Sequence, residues 1–173
     1  NAYIFICHSL VSVSSGDTRP LKMKQLNQSV NEWLALLPKQ LNAIKRSQEN
    51  IKDPLFRFFE REINTGIALL RTVLGDLNDV IQICEGHKKQ TNYHRQILKD
   101  LAKGLIPRNW RRYTVPKDLI VQPWLLDFSE RIKQIAAISK QFQEHGVEAL
   151  KNYVVWLGGL FTPEAYITGK LLH

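Results

Sequence analysis

Apolar residues recur every three or four positions along most of this 173-residue chain, a spacing typical of helices with one buried face. The most regular stretch begins at Asp53 and Pro54, which suit a helix N-cap and first turn, and Glu85-Gly86 predicts its end. Between them the apolar positions form one continuous stripe, consisting of Phe56, Phe59, Ile63, Ile67, Leu70, Leu74, Leu77, Ile81 and Cys84. This stripe predicts a packed helix of about thirty residues and about 45 Å.

A helix is also predicted from about Leu21 to Asn50. Pro38 lies inside this pattern and must kink the helix or divide it in two, because proline lacks a backbone donor and clashes with the preceding turn. A shorter helix is predicted from the N-cap Thr91 to Lys103, stopped by Gly104.

The interval Leu105–Pro116 is too interrupted by proline to predict regular structure. A second long helix follows from Val121 to His145, with Pro123 in its first turn and Gly146 after its end. One of its faces is apolar and consists of Trp124, Leu125, Phe128, Ile132, Ile135, Ile138 and Phe142.

The last twenty residues follow a different pattern. The apolar run Val154–Leu157 predicts a buried extended segment, and Gly158-Gly159 predicts a tight backbone passage. Thr162, as an N-cap, and Pro163, at the first helical position, begin a last helix. The predicted fold class is therefore mainly all-α, an elongated helical bundle of five to six helices with one short extended segment near the C-terminus. The apolar opening segment 1–13 is expected to be a strand or the end of a preceding domain's helix.

Net charge, cysteine content and hydropathy limit the partners and settings that the sequence favours. The net charge is +8, from 24 Lys and Arg against 16 Asp and Glu, and it is spread along the sequence. A solvated basic surface is the favoured reading over a site for nucleic acid or lipid. Cys7 and Cys84 are too few for a disulfide framework and favour a reducing, intracellular setting, with Cys84 packed as a small apolar side chain. No segment approaches a membrane-spanning length.

Candidate chemistry is sparse. There is no complete phosphate-binding loop, and no spacing of His, Cys or carboxylates indicates a metal or a catalytic constellation. Glu60 and Glu62 lie two apart on a helix and are predicted to form exposed ion pairs with Arg57 and Arg61. The sequence predicts no catalytic, cofactor-binding or metal-binding residue.

The segment Arg108–Tyr113 is the best candidate for binding nucleic acid, because basic residues alternate with aromatic ones that could stack on bases. The favoured interpretation is a packed loop, in which Trp110 and Tyr113 point inward and the arginines stay in water. The residues expected to carry structural or interface roles are Phe56, Phe59, Trp110, Trp124, Trp156, Gly158, Gly159, Phe161 and Pro163.

Several motifs, in this order, resemble the C-terminal region of a dynein heavy chain, and together they cover the sequence from about Ile51 to Thr168. They are Asp53–Glu62, Cys84–Gly86 with Lys88–Tyr93, Gly104–Trp110, Val115-Pro116, Trp124 with Asp127–Ile132, and Trp156–Thr168. The sequences of Lys88–Tyr93 and Leu157–Phe161 resemble the cytoplasmic type rather than the axonemal type.

The resemblance implies a non-catalytic segment of a microtubule motor ATPase, which braces a ring of AAA+ modules and modulates the motor. Residues 1–50 would end the sixth AAA+ module as part of its small helical subdomain, and residues 51–173 would be the helical part of the C-terminal domain. Family members often continue beyond the position of Thr168 into β-rich structure, so either the sequence is truncated or the natural protein is short.

The same resemblance implies that ATP and magnesium belong to other parts of the parent motor. Partners would be the remaining AAA+ modules and other subunits of the dynein complex, with microtubules contacted only through other regions and neither nucleic acid nor membrane bound. The location would be cytoplasmic and associated with the cytoskeleton. The alternative is a stand-alone basic helical adaptor for acidic protein or nucleic-acid surfaces, and direct contact with the acidic surface of tubulin is a third possibility.

Overall fold

The structure is a computed structural model that describes residues 18–116 and 118–171, with side chains described from position 20 to position 168 apart from 117. Within these ranges it contains six α-helices and no strand, which confirms the predicted all-α class. In order along the sequence they are α1 (Thr18–Leu36), α2 (Pro54–Cys84), α3 (Asn92–Ala102), α4 (Val121–His145), α5 (Val147–Lys151) and α6 (Pro163–Leu171). Short 3-10 turns span Asn50–Lys52, Arg108–Trp110 and Leu157–Gly159. The predictions for the opening segment and for Cys7 lie outside the described residues.

Helix α2 forms the centre of the bundle and begins and ends where the sequence predicts. The Asp53 carboxylate caps it by accepting from the backbone N–H groups of Leu55 (2.8 Å) and Phe56 (3.1 Å), and Pro54 occupies the first turn. At its other end Gly86 adopts a φ of +80°, which lets the His87 N–H donate to the Gln82 carbonyl at 2.8 Å. Each of the other five helices packs against α2.

The prediction of a helix from Leu21 to Asn50 is wrong beyond residue 36. Helix α1 ends at Leu36, and residues 37–47 are irregular, because the residue before Pro38 is biased away from helical geometry. Two buried hydroxyls of α4 hold the end of α1 and the segment after it: Ser129 Oγ donates to the Leu36 carbonyl at 2.6 Å, and Ser139 Oγ donates to the Asn42 carbonyl at 2.9 Å. Side chains from a distant helix therefore bond to backbone carbonyls that have no helical N–H partner once α1 has ended.

The core has two parts. The larger part is formed by helices α1, α2, α3 and α4. It includes Val30, Phe56, Leu77, Trp124 and Ile132, all essentially inaccessible to water. The smaller consists of Phe58, Phe59, Ile138, Leu150 and Leu160, with Tyr166 of α6 packed against it. This second cluster attaches the C-terminal segment to one end of the α2–α4 pair.

The buried face of α2 is wider than the predicted stripe and is rotated from it. Ile67, Leu74, Ile81 and Cys84, which belong to the stripe, are only half-buried. A second line is buried instead, and it includes Glu62, Gly66, Leu69, Val73, Asp76, Val80 and Ile83. Helix α2 is therefore enclosed by several helices on more than one side, rather than paired along a single coiled-coil seam.

Candidate structural and interface site

The nine candidate residues fall into three classes of burial. Phe56, Phe59, Trp110, Trp124, Gly159 and Phe161 are buried. Pro163 is half-buried, Gly158 is exposed, and Trp156 keeps 54% of its surface in water. The burial predicted for the extended segment Val154–Leu157 is wrong, since Val154 is 91% exposed and Trp156 and Leu157 are also exposed.

Trp124 organises an aromatic stack at the centre of the larger core. Its ring stacks on Phe128 (centroids 5.0 Å apart), Trp110 (5.4 Å) and Tyr113 (6.0 Å), and Tyr113 meets Phe161 edge-on at 5.6 Å. The favoured packed-loop interpretation of Arg108–Tyr113 is thereby confirmed, because Trp110 is fully buried and Arg108, Arg111 and Arg112 are exposed. The indole of Trp110 is not available to stack on a base.

A buried carboxylate anchors this stack to α2. Asp76 Oδ2 accepts from Trp110 Nε1 at 2.7 Å, and both of its oxygens accept from the Tyr93 hydroxyl at 2.9 and 3.0 Å. Burial raises the pKa of Asp76, although the hydrogen bonds from Trp110 and Tyr93 oppose this change. One acidic residue of α2 thus fixes both α3 and the loop that carries Trp110.

A neighbouring cluster fixes the start of α3. Lys88 Nζ lies 2.6 Å from Asp79 Oδ1, and His94 Nε2 lies 3.1 Å from Asp79 Oδ2. The hydrogen bond from Lys88 lowers the pKa of Asp79. His94 also forms a capping box with Thr91, whose N–H lies 3.2 Å from His94 Nδ1. Thr91 is thus the predicted N-cap.

A third carboxylate secures the C-terminal junction. Glu62 is 2% exposed, and it accepts from the Phe161 N–H at 2.6 Å, from the Thr162 N–H at 3.0 Å and from the Thr162 hydroxyl. The prediction that Glu62 forms an exposed ion pair is wrong, because its position on α2 faces the core. Glu60 does form an ion pair, with Arg46 at 2.5 Å rather than with Arg57.

Helix α4 supplies a second set of contacts to the same junction. Arg131 donates to Asp127 Oδ2 at 2.8 Å and to the Leu160 carbonyl at 2.6 Å, and its guanidinium lies 4.2 Å from the centre of the Tyr113 ring. The Tyr113 hydroxyl donates to Asp127 at 2.9 Å, and burial raises the pKa of that hydroxyl. The junction is therefore held by α2 and α4 together.

The glycine pair permits a close approach between the C-terminal segment and α4. The side chain of Gln134 accepts from the Trp156 N–H at 2.9 Å and donates to the Trp156 carbonyl at 3.1 Å. A Cβ atom on Gly158 would lie 2.8 Å from the Trp156 ring, and one on Gly159 would lie 2.6 Å from both Trp156 and Gln134. A side chain at either position would force the Trp156 ring or the Gln134 side chain to move.

Comparison with known proteins identifies the family of this sequence. Residues 5–172 match the sequence model of the C-terminal domain of dynein heavy chains. The protein belongs to the dynein heavy chain family. It is 53% identical over 88% of its length to the cytoplasmic dynein heavy chain of Drosophila melanogaster, and 46% identical over 88% to that of Caenorhabditis elegans. The Dictyostelium discoideum cytoplasmic dynein heavy chain is 42% identical over 83% of the sequence. The 173 residues span 3% of the length of each of these three relatives.

The polar residues that hold this dynein segment together were not predicted from the sequence. Glu62 and Asp76 lie at three- and four-residue steps from Gly66, Leu69, Val73 and Val80, on the line that α2 buries. A carboxylate at such a position was the available signal for a buried anchor. The contacts of Ser129, Arg131 and Gln134 with distant backbone groups carried no signal, because the acceptors and donors at Leu36, Leu160 and Trp156 are far away in sequence.

The described carboxylates form hydrogen bonds and ion pairs within the fold. Each of the carboxylates described above engages a lysine, arginine, histidine, indole, hydroxyl or backbone N–H group. Within the described ranges, no group of three or more His, Cys, Asp and Glu side chains could hold a metal ion. Over the same ranges, no helix is long and apolar enough to cross a membrane. Cys84 is a free, half-buried thiol whose pKa burial raises.

Proposed function

We propose that this protein is a non-catalytic segment of a microtubule motor ATPase, which braces the AAA+ ring and modulates the motor. The observation that carries the proposal is the use of the buried carboxylates, since Glu62 and Asp76 both accept hydrogen bonds that join separate parts of the fold. A segment built in this way transmits force between its ends instead of binding a substrate. Membership of the dynein heavy chain family supplies the context.

In this proposal the parent heavy chain binds ATP and magnesium elsewhere, and this segment binds neither. Its partners are the remaining AAA+ modules of the same heavy chain and other subunits of the dynein complex, and it acts in the cytoplasm with the cytoskeleton. Microtubule contact belongs to other parts of the parent. Similarity to heavy chains described as cytoplasmic supports this assignment.

We also propose a division of the sequence at about residue 50. The irregular segment 37–47 separates α1 from α2 and supports a boundary there. Leu26, Val30 and Trp33 of α1 nevertheless share the larger core with α2, so the two regions would form one packed unit. Limited proteolysis of the full heavy chain tests the boundary, and cleavage within 37–47 is expected to precede cleavage within α2.

The test of function uses the full-length heavy chain with Glu62→Gln, which weakens the bond between α2 and the C-terminal junction. We expect unchanged nucleotide binding but a changed microtubule-stimulated ATPase rate and gliding velocity. Glu60→Gln is the matched control, because Glu60 lies two residues away and pairs with the exposed Arg46. The bracing function would be contradicted if the Glu62→Gln protein kept wild-type velocity and ATPase coupling although its junction was shown to be loosened.

One observation favours the alternative of a basic adaptor, namely the net charge of +8. A titration with nucleic acid at increasing salt separates the two functions. Tight binding with a steep salt dependence would support the adaptor, and weak binding would support the structural segment.

A further inference from the structure

The acidic and the basic side chains of α2 differ in whether they have partners within the fold. Its four carboxylates all have partners: Glu60 pairs with Arg46, Glu62 accepts from the Phe161 and Thr162 N–H groups, Asp76 accepts from Trp110 and Tyr93, and Asp79 pairs with Lys88 and His94. Its three arginines, Arg57, Arg61 and Arg71, are exposed. Among the residues that the structure describes, none of these arginines has an ion pair or a side-chain hydrogen bond.

The three arginines share one face of the helix. At 3.6 residues per turn, Arg61, Asn64, Ala68 and Arg71 all lie within about 40° of the direction of Arg57 around the axis. The face extends about 21 Å from Arg57 to Arg71 at 1.5 Å per residue. It therefore presents a row of positive charges separated by small or neutral side chains.

The first part of this face lines a groove. The groove has a volume of about 790 Å³, and its other wall is formed by Arg46 of the irregular segment and by Ile51 of the 3-10 turn that precedes α2. From α2 it is lined by Arg57, Glu60, Arg61, Asn64, Thr65 and Ala68. Three of the lining residues are arginines, namely Arg46, Arg57 and Arg61. The only lining carboxylate, Glu60, pairs with Arg46. Ile51, 42% exposed, adds an apolar contact.

The arrangement of the arginines along α2 favours a polypeptide over a small anion. A phosphate site is formed by donors that converge on one point, whereas Arg57, Arg61 and Arg71 are arranged in a line along about four turns of helix. Carboxylates spaced along a peptide segment match such a line, and an opposite charge at each arginine would satisfy the fork geometry of guanidinium. Ile51 and Ala68 would contact the aliphatic parts of the same segment.

We propose that this groove and the arginine face of α2 bind an acidic segment from another part of the same heavy chain. The source follows from length, since the 173 residues span 3% of the relatives they match and most of a heavy chain lies outside them. This inference rests on the proposed bracing function and identifies one surface through which the segment is braced. Charge complementarity, rather than apolar burial, gives the contact its specificity.

The contact can be trapped in the full-length heavy chain. Ala68 is exposed and lies in the groove, so benzoylphenylalanine placed at this position reports what occupies it on illumination. We expect a cross-link within the heavy chain to a segment rich in Asp and Glu. The double variant Arg57→Glu/Arg61→Glu should reduce the yield about tenfold, as should raising the salt concentration to about 1 M.

The matched control is Arg95→Glu/Lys99→Glu on α3, which makes the same change of charge at two exposed positions four residues apart. It should leave the cross-link unchanged. Exchanging the mapped acidic residues for lysine in the Arg57→Glu/Arg61→Glu background should restore the yield.

Four results would overturn the proposal. They are no cross-link, a cross-link to a segment without acidic residues, a cross-link to tubulin or another polypeptide, and a yield that charge reversal leaves unchanged. These results are distinguishable from failure of the bracing function, because ATPase coupling in the Glu62→Gln protein is measured without reference to the groove. A cross-link to another polypeptide together with altered coupling would reject this contact and retain the brace.

Discussion

Glu62 shows how much depends on a single buried acid. Its carboxylate accepts from two consecutive backbone N–H groups, at Phe161 and Thr162, which have no helical partner just before α6 begins. Ionised carboxylates form stronger hydrogen bonds with backbone N–H groups than neutral acceptors do. Glu62 therefore attaches the C-terminal junction to α2.

Replacing Glu62 with glutamine should destabilise the fold. The amide has one oxygen to accept with and places an N–H₂ group near backbone donors, so we expect a loss of about 2 kcal/mol in the free energy of unfolding. Glu60→Gln removes only an ion pair with an exposed arginine and should cost less than about 1 kcal/mol. Urea unfolding followed by circular dichroism measures both. Equal losses for the two variants would contradict the anchoring role of Glu62.

Asp76 and Asp79 should affect the pH dependence of stability in opposite directions. Burial raises the folded-state pKa of Asp76 above its ordinary 3.8, so its contribution to stability is full below 3.8 and is lost as pH rises through the folded pKa. The Lys88 bond lowers the folded-state pKa of Asp79, so its contribution is present above 3.8 and is lost as pH falls through the folded pKa.

The measurement compares wild type with Asp76→Asn and Asp79→Asn in urea between about pH 7 and about pH 3. As pH falls, wild type should gain stability relative to Asp76→Asn, and it should lose stability relative to Asp79→Asn. Parallel pH profiles for the two variants would be inconsistent with these environments.

At the scale of elements, the junction between α4 and the C-terminal segment depends on the absence of side chains. Gln134 forms two hydrogen bonds with the backbone of Trp156, and the indole folds back over Gly158 and Gly159. The 3-10 turn at Leu157–Gly159 makes this geometry possible. Glycine is needed here for close approach, since neither residue has a positive φ.

Gly159→Ala should therefore destabilise the fold by about 1–3 kcal/mol, since its Cβ would lie 2.6 Å from Gln134 and Trp156. Gly75→Ala is the control of opposite sign. Gly75 is exposed inside α2 with nothing within 4 Å of an added Cβ, and alanine there should stabilise the helix by about 0.5–1 kcal/mol. Thermal unfolding of both variants measures these two stability changes. A neutral Gly159→Ala would show that the junction repacks freely.

At the scale of the whole molecule, the described surface carries apolar side chains that a soluble domain usually covers. Val154 is 91% exposed and Trp156 and Leu157 lie beside it, partly in water. Neighbouring exposed apolar residues of this kind are typical of an interaction surface.

The isolated protein is accordingly expected to self-associate as its concentration rises. Val154→Ser should shift sedimentation velocity profiles toward the monomer, because it removes the most exposed apolar side chain at this end. Asn152→Ser, at an exposed polar position in the same segment, should leave the profiles unchanged. A monomer at all concentrations for the unmodified protein would refute the expectation.

Much of the fold follows from local signals in the sequence. The bounds of α2 follow from Asp53-Pro54 and Gly86, the start of α3 from Thr91, and the extent of α4 from the apolar period between Val121 and His145. Capping and periodicity act over a few residues, so they can be recognised without knowing what packs against them. The motifs from Asp53 to Thr168 likewise identified the family.

Contacts between distant residues were decided only by the tertiary structure. The sequence marks Pro38 as a helix breaker, but only Ser129 and Ser139, more than ninety residues away, explain why the following segment is irregular yet ordered. The sequence shows Glu62 and Asp76 as acids on a helix, but only the packing of several helices around α2 turns them toward backbone and indole donors. Helix periodicity determines which residues share a face. Whether that face meets water, a neighbouring helix or the C-terminal segment depends on how the elements assemble in space, which no local signal encodes.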